Sequence, residues 1–315
     1  MGDAAALRLG VIGYGHVGRH HARILSELSD VEVQWIVDID RGRADEGAAL
    51  LGARAAYNAR DILKEVDAVS VAVPTHAHLE VARPFLQNGV AALVEKPLAG
   101  SLLEADELIA AAASASATLG VGHTERFNPA VRAASELMSE PKFIEVHRLG
   151  AFPERSLDID VIFDVMIHDL DVILSLVKSD VASIEAVGVA VLTDRIDIAN
   201  VRLRFASGCI ANLTASRISR DRVRKIRWFQ HDAYVSIDYA EQELEHWRLV
   251  RRDGHQPRIE GGKIDVARQE PLRMELMDFV EAARARRQPM VDGAAGRRAM
   301  ALAHRIAEEI EVGQR

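Results

Sequence analysis

Two carboxylates and a histidine recur at helical spacing near the middle of the chain. The segment Asp164-Val-Met-Ile-His168-Asp-Leu-Asp171 places Asp164, His168 and Asp171 at i, i+4 and i+7, on one face of a predicted helix. A histidine flanked by carboxylates is oriented and made more basic, which suits a proton acceptor from an alcohol. Apolar neighbours predict a buried helix and favour catalysis, because buried charge needs a reason. A metal site and a polar structural network remain alternatives.

A lysine in a restricted turn is the second candidate for chemistry. Glu95-Lys96-Pro97 follows an apolar run, at the carboxyl end of a predicted strand, where open α/β sheets place their ligands. Pro97 restricts Lys96 to extended geometry. A lysine held in this way can hydrogen-bond a substrate hydroxyl and stabilise a developing alkoxide. A surface lysine in a loop explains these residues equally well.

A glycine-rich turn near the start of the chain predicts a dinucleotide site. Gly13-Tyr-Gly15-His16-Val17-Gly18 follows an apolar strand and opens a helix, the context that makes this otherwise weak pattern specific. Gly13 permits the turn, Gly15 lets the backbone approach a pyrophosphate, and Gly18 lets helix and strand pack closely. We expect His16 and Val17 to lie beside the phosphates through their backbone, at the positive end of the helix.

An acid about twenty residues beyond the loop completes this pattern. Asp38 ends the second predicted strand, where a carboxylate accepts from the adenosine ribose hydroxyls. Such a carboxylate repels a 2′-phosphate and favours NAD, although the nearby Arg41 and Arg43 leave NADP open. A glycine turn with an unrelated surface acid is the alternative.

Strands and helices alternate through the first 125 residues. This order predicts an α/β domain over residues 1–125 with a doubly wound parallel Rossmann sheet. Its predicted strands are 7–13, 31–38, 68–73, 91–94 and 118–122, and its predicted helices are 16–28, 44–51, 78–88 and 105–114, with a short element at 61–63.

After residue 125 the strands follow one another through short links. A helix at 161–177 precedes the second strand, and two helices, 271–286 and 294–311, close the chain and could pack back on the first domain. Residues 126–315 therefore predict an α/β domain with a largely antiparallel open sheet, for substrate binding and oligomerisation. Its predicted strands are 142–149, 184–191, 200–205, 209–217, 223–230, 233–238 and 243–251.

The second face of this open sheet needs a cover, which predicts a homo-oligomer, a dimer or a tetramer. The candidates for that outer face are Ile226, Trp228, Tyr234 and Trp247.

Composition narrows the partners and the compartment. The net charge of −8, from 39 basic and 47 acidic side chains, argues against nucleic acid as a partner. A single cysteine, Cys209, suits a reducing compartment. The sequence predicts neither a signal peptide nor a membrane-spanning segment, and we expect a cytoplasmic protein.

These motifs, in this order, resemble the Gfo/Idh/MocA family of NAD(P)-dependent sugar and cyclitol oxidoreductases. The resemblance covers nearly the whole chain, and Glu-Lys-Pro combined with the Asp/His helix is its most specific part. The matching segments are Gly-Tyr-Gly-His-Val-Gly (13–18), Val-Pro-Thr-His-Ala-His (73–78), Glu-Lys-Pro-Leu (95–98), Arg-Phe-Asn-Pro (126–129) and Asp-x-x-x-His-x-x-Asp (164–171).

The resemblance implies a role for each matching residue. Lys96 and His168 would form the catalytic pair, and Asp164 would hold a substrate hydroxyl or orient the pair. The same comparison implies a cofactor cleft lined by Pro74, Thr75, His78 and Glu95, and substrate-side positions at Arg126, Asn128 and Asp171, the first two mainly architectural. One departure is the stretch 157–163, where the family often carries a Gly-Gly pair.

The segment Met-Ile-His-Asp-Leu-Asp (166–171) resembles the same segment in the branch of the family that oxidises the 3-hydroxyl of UDP-N-acetylglucosamine for lipid A precursors. Arg155 and Arg217 are candidates to supply charge for a diphosphate. The alternatives are a myo-inositol or free-sugar dehydrogenase, an enzyme that oxidises its substrate transiently before elimination, and a dinucleotide-binding sensor without catalysis.

Overall fold

The computed structural model describes residues 5–152, 159–252 and 255–313, which divide into two compact units. The first unit comprises Met1–His123 and Leu272–Arg297, and the second comprises Thr124–Pro271 and Arg298–Arg315. The first division lies close to the predicted boundary at residue 125. The return of Leu272–Arg297 to the first unit has a packing reason, because Leu276, Phe279 and Val280 are buried in its hydrophobic core.

The first unit is built on a parallel sheet of six strands. Its strands are β1 Leu7–Ile12, β2 Val31–Val37, β3 Arg54–Ala56, β4 Ala68–Val71, β5 Ala91–Glu95 and β6 Leu119–Gly122, and its first helices are α1 His16–Ser26, α2 Arg41–Leu51, α3 His78–Gln87 and α4 Leu102–Ser114. The order β3-β2-β1-β4-β5-β6 confirms the doubly wound Rossmann sheet. Residues 61 and 62 belong to the 3-10 turn Ala59–Ile62, which Leu63 caps, and β3, three residues long, was not predicted.

The strand order decides where the candidate residues of this unit gather. All strand pairs of the sheet are parallel, so their carboxyl ends lie along one edge. The glycine loop follows β1, Asp38 follows β2, Thr75 lies just beyond β4, and Lys96 follows β5. The order in which the strands are added to the sheet reverses between β1 and β4, and such sheets bind ligands at that point.

The second unit is built on a largely antiparallel sheet of eight strands, as predicted. Its strands are β7 Pro141–Leu149, β8 Val181–Val189, β9 Ile198–Phe205, β10 Ile210–Ser216, β11 Val223–Gln230, β12 Ala233–Asp238, β13 Glu243–Val250 and β14 Arg258–Ile264. They follow the order β14-β13-β12-β11-β7-β10-β9-β8, with β7 and β10 parallel. Strand β14 was not predicted; its two glycines weaken any strand pattern.

Helices cover one face of this sheet. The helix α5 Pro129–Ser135 was not predicted, whereas the π-helical turn Ile162–Met166 with α6 Ile167–Leu176 lies within the predicted helix. Of the last two helices, α7 Pro271–Ala285 packs in the first unit, and α8 Gly293–Gly313 places Leu302, Ala303 and Ile306 in the core of the second. Within the described ranges, no helix is both long enough and apolar enough to cross a bilayer.

The outer face of the sheet differs from the prediction at two of four residues. Ile226 and Trp228 are fully buried in the core, on the helix-covered face, so their assignment to the outer face was wrong. The strand register gives the reason: Trp228 lies opposite the buried Val235, whereas Phe229 lies opposite Tyr234. Alternate residues of a strand point to opposite faces. Trp247, opposite Tyr234 in the next strand, shares the outer face and is 39% exposed.

Candidate active site

The glycine loop has the shape that a dinucleotide needs. Gly13 has φ +90°, and a Cβ there would lie 2.5 Å from the carbonyl oxygen of Ala72. A Cβ on Gly18 would lie 1.7 Å from the carbonyl oxygen of Gly13, so α1 can approach β1 only without a side chain. At Gly15 a Cβ would meet no atom within 4 Å. The two outer glycines therefore shape the turn, and the middle one leaves open space for a ligand.

The N-terminus of α1 suits an anion. No side chain caps this end, and the first turn contains no acidic residue. The helix dipole and the N–H groups of the first turn favour a negative charge there. His16 and Val17, in that turn, are both exposed.

Asp38 is held in place by a hydrogen bond from the glycine loop. Its side chain is buried, with Oδ2 accepting from the Tyr14 N–H at 2.8 Å and Oδ1 accepting from the Asp40 N–H at 2.9 Å. Each carboxylate oxygen has a second lone pair, so ribose hydroxyls can still donate to it. Arg41 stacks over Tyr57 at 4.5 Å, and Arg43 pairs with the Asp40 carboxylate at 3.4 Å. Asp38, the glycine loop and the helix end together fit NAD.

Two turns at the same edge of the sheet are joined by a histidine. His78 is buried, with Nε2 3.0 Å from the Val73 carbonyl oxygen and Nδ1 3.0 Å from the Pro97 carbonyl oxygen. Burial lowers the pKa of His78, against the opposing effect of the carbonyl oxygens that face its two ring nitrogens. His78 therefore fixes the turns after β4 and β5. Its predicted contact with the cofactor stays a prediction, as do those of the exposed Pro74 and the half-buried Thr75.

Lys96 lies directly beyond β5, in a turn with a cis peptide bond before Pro97. It is half-buried, and its backbone N–H donates to Glu95 Oε2 at 3.2 Å. Burial opposes ionisation of Glu95, but His21 and Lys96 outweigh it and lower the pKa of that carboxyl. A carboxylate therefore accompanies Lys96 at neutral pH.

In the second unit, the predicted Asp-His-Asp segment begins in an irregular turn. Asp164 lies in the π-helical turn, and His168 lies in the first turn of α6; both are half-buried. Single π-helical turns inside helices are frequent at functional sites, because they change the direction of one side chain against its neighbours. Helical spacing alone did not predict this turn.

A buried ion network holds α6 against the sheet. Arg148 of β7 donates from Nε and Nη2 to the two oxygens of Asp169 at 2.6 and 3.0 Å, and from Nη1 to Glu125 at 2.9 Å. Burial raises the pKa of Asp169 against the opposing effect of Arg148. Burial also raises the pKa of Tyr239, whose ring lies 4.9 Å from the Arg148 guanidinium. This network fixes the residue that follows His168.

The predicted substrate-side residues of this unit are engaged with one another. Arg126 Nη1 lies 3.4 Å from Asp171 Oδ1, and Asp171 is only 2% exposed. Asn128 caps α5 by accepting from the Ala130 N–H at 3.1 Å, and it donates to the Tyr239 carbonyl oxygen at 3.0 Å. Asn128 is thus architectural. A direct substrate contact of Arg126 or Asp171 stays a prediction.

The structure describes only one of the two arginines that were predicted to bind a diphosphate. Arg155 lies outside the described residues. Arg217 is 2% exposed, and its guanidinium donates to Asp197 at 2.8 Å, to the Ile159 carbonyl oxygen at 2.6 Å and to Thr193 at 3.0 Å. Arg217 therefore stabilises the interior of the second unit and is not placed to bind a diphosphate.

Among the residues that the structure describes, no group of three or more His, Cys, Asp or Glu side chains has the arrangement of a metal site. The metal alternative for Asp164, His168 and Asp171 therefore gains no support. Sequence reasoning missed His21 and Arg148, which hold Glu95 and Asp169. The sequence carried no signal for either residue, because His21 follows Arg19 and His20, and Arg148 follows His147.

Known proteins resemble this chain over nearly its whole length. A family model described as "Oxidoreductase family, NAD-binding Rossmann fold" matches residues 7–123, and the GFO/IDH/MocA C-terminal domain matches residues 140–230. UDP-N-acetylglucosamine 3-dehydrogenase from Acidithiobacillus ferrooxidans is 40% identical over 309 residues, 97% of each chain. A solved structure of that enzyme superposes with a TM-score of 0.91 at 38% identity, over 98% of this chain and 99% of the other.

More distant relatives share the fold or part of the sequence. Inositol 2-dehydrogenase from Leifsonia xyli is 35% identical over 189 residues, 57% of this chain and 56% of its own length. A levoglucosan dehydrogenase solved with NADH and levoglucosan has a TM-score of 0.88 at 18% identity, over 97% of each chain, which shows the fold alone. The family resemblance predicted from the motifs is confirmed.

Proposed function

The chain belongs to the Gfo/Idh/MocA family of oxidoreductases with an NAD-binding Rossmann fold, and from this premise we propose that it oxidises the 3-hydroxyl of UDP-N-acetylglucosamine. The observation that supports this substrate is the 40% identity to UDP-N-acetylglucosamine 3-dehydrogenase over 97% of both chains. The segment Met-Ile-His-Asp-Leu-Asp (166–171) supports the same branch of the family. The 3-keto product is suited to amination on the route to lipid A precursors.

The proposed chemistry assigns one task to each residue. The glycine loop and Asp38 hold NAD, which when bound supplies the hydride acceptor. His168 takes the proton of the substrate hydroxyl, and the C–H electron pair leaves as hydride, so that a ketone forms. Lys96 donates a hydrogen bond to the oxygen as its negative charge develops. Asp164 holds the hydroxyl or orients His168.

The test offers UDP-N-acetylglucosamine, myo-inositol and simple hexoses separately to the enzyme with NAD, with nicotinamide absorbance as the readout. A carbonyl trap in the assay removes the ketone, because an unfavourable equilibrium otherwise hides turnover. We expect a signal with the UDP-sugar alone. Lys96→Ala and His168→Ala should lower kcat by about 10²–10⁴-fold while NADH still binds.

Each other outcome selects a different function. A signal with myo-inositol alone favours the activity of the inositol dehydrogenases, which match more than half of this chain. Release of a leaving group without net NADH indicates oxidation followed by elimination. Silence with all substrates, with NADH binding intact, indicates a sensor. Normal turnover in both alanine variants contradicts the assigned roles.

We propose that two copies of the chain associate through the outer face of the eight-stranded sheet. Aromatic rings on the neighbouring strands β7, β11, β12 and β13 form a stripe there. The ring centroids of Phe143 and Phe229 are 5.7 Å apart, and those of Phe229 and Tyr234 are 5.2 Å apart. Tyr234 lies opposite Trp247 in the strand register. Phe229 and Trp247 are 37% and 39% exposed. A self-complementary face of this kind suits a two-fold dimer, alone or within a tetramer.

Light scattering tests this assembly. The wild type should have the mass of a dimer or tetramer, and Phe229→Glu/Trp247→Glu should lower that mass to a monomer. Lys64→Glu, an exposed residue of the first unit, is the matched control and should leave the mass unchanged. A monomeric wild type at working concentration contradicts the proposal.

We also propose a cytoplasmic location. NAD and nucleotide sugars are cytoplasmic metabolites, and the single, buried thiol of Cys209 suits a reducing compartment. Fractionation of cells that express the tagged chain should place it with soluble cytoplasmic markers; recovery in the periplasm contradicts this location.

A further inference from the structure

A fully buried histidine connects three elements of the first unit. His21 lies in α1, three residues beyond the glycine loop, with none of its side chain exposed. Its Nδ1 lies 2.7 Å from Ser70 Oγ in β4, and its Nε2 lies 3.1 Å from Glu95 Oε1 at the end of β5. The histidine thus contacts the helix, the central strand and the strand that leads to Lys96.

Both ring nitrogens of His21 face a polar partner, although the ring itself is fully buried. The contact between His21 Nε2 and Glu95 Oε1 at 3.1 Å is a close polar contact and not a well-aligned hydrogen bond. Nδ1 and the Ser70 hydroxyl share a hydrogen bond of 2.7 Å, in which either partner can donate. His21 therefore links Ser70 to Glu95 through the interior of the first unit.

The Glu95 carboxylate is in turn enclosed on both oxygens. Oε1 faces His21, and Oε2 accepts from the Lys96 N–H at 3.2 Å. A Cβ on Gly122 in the neighbouring strand would lie 2.7 Å from Oε1, so the sheet leaves room for this carboxylate only because residue 122 is glycine. The neighbouring strand thus restricts the position of the Glu95 carboxylate, and the contact with His21 stabilises that position.

We propose that His21 is a positioning residue for the oxidation: by holding the Glu95 carboxylate, it fixes the turn that presents Lys96 and keeps a negative charge beside the lysine ammonium. This inference rests on the proposed role of Lys96 at the substrate hydroxyl. His21 itself touches neither substrate nor cofactor, because its side chain is enclosed in the first unit. Its loss should therefore lower turnover more than it lowers the affinity for NAD.

Four variants test the proposal with UDP-N-acetylglucosamine as substrate. His21→Leu removes the polar contact with Glu95 and keeps most of the volume; we expect kcat to fall about tenfold, the effect of losing one polar contact to a charged group. His21→Gln offers an amide N–H toward Glu95 and should recover part of that loss. His20→Leu is the matched control, because His20 is the exposed neighbour on the same helix. NADH affinity, measured by fluorescence titration, should change less than threefold in all of them.

The fourth variant, Ser70→Ala, keeps the contact between His21 and Glu95 and removes only the partner of Nδ1. It should lower kcat by about threefold at unchanged NADH affinity, and it remains informative if His21→Leu does not fold. The proposal is overturned if His21→Leu and Ser70→Ala turn over normally, or if NADH affinity falls as far as kcat, which indicates a role in the glycine loop alone. Normal turnover in Lys96→Ala contradicts the proposed function instead, so the two failures are distinguishable.

Discussion

Replacing Gly15 and Gly18 by alanine, one at a time, separates what the glycine loop does for the fold from what it does for NAD. At Gly18 the new Cβ would lie 1.7 Å from a main-chain oxygen, half the 3.4 Å at which ordinary contact begins. Neither α1 nor β1 can give way without losing packing. We expect Gly18→Ala to destabilise the chain by about 3 kcal/mol or more, a large part of the 5–15 kcal/mol typical of a domain.

At Gly15 the same methyl group meets open space, and the backbone angles of φ −77° and ψ −160° suit alanine. The stability change should stay within about 1 kcal/mol, because a weaker N-cap is offset by a less flexible unfolded chain. The methyl group nevertheless occupies the path of the pyrophosphate. We expect the Kd for NADH to rise tenfold or more, about 1.4 kcal/mol.

Urea unfolding and NADH fluorescence titration measure the two effects on the same preparations. The expected result is a crossed pattern: Gly15→Ala unfolds like the wild type and binds NADH weakly, whereas Gly18→Ala unfolds at much lower urea. Wild-type affinity in Gly15→Ala would refute the placement of the pyrophosphate, and a stable Gly18→Ala would refute the packing argument.

Three further predictions concern the second unit. Asp197→Asn should destabilise the chain by about 3–5 kcal/mol near neutral pH, since it removes the charge partner of Arg217. Burial opposes ionisation of Asp197, but hydrogen bonds from the N–H groups of residues 191–193 outweigh burial and lower its pKa. The stability that the carboxylate contributes is therefore present above about pH 4 and is lost as the pH falls further. The urea midpoints of the wild type and the variant should converge as the pH falls below that value. Arg148→Met should cost about 3–5 kcal/mol in urea unfolding and Arg148→Met/Asp169→Leu less, because the single change leaves Asp169 buried without its charge partner; equal losses contradict this. Burial raises the pKa of Cys209 to about 11, so the native chain should not react with a thiol reagent near pH 8 until urea unfolds it.

Local patterns predicted the Rossmann sheet because their residues act within one turn or one strand. Gly13, Gly15 and Gly18 each have a role set by the backbone next to them, and Asp38 is reached by a fixed number of residues along one helix and one strand. The alternation of apolar strands with helices predicted a parallel sheet for the same reason. Strands such as β3 and β14 were missed because three residues, or a pair of glycines, give no periodic pattern.

Register decided what periodicity could not. Alternation along β11 shows that Trp228 and Phe229 point to opposite faces, but only the pairing with β12 shows which of them the helices cover. The sequence by itself determined the residue types that can bind a dinucleotide and transfer a proton, together with the strands and the helix that carry them.

Tertiary structure alone decided how those residues are held. Glu95 depends on His21, 74 residues earlier in the chain, and Asp169 depends on Arg148, in a different element. Neither pair leaves a spacing signal, because the contact is made by sheet order and helix packing and not by the local chain. Buried polar groups require partners, but which partners they find is settled only when distant elements pack together.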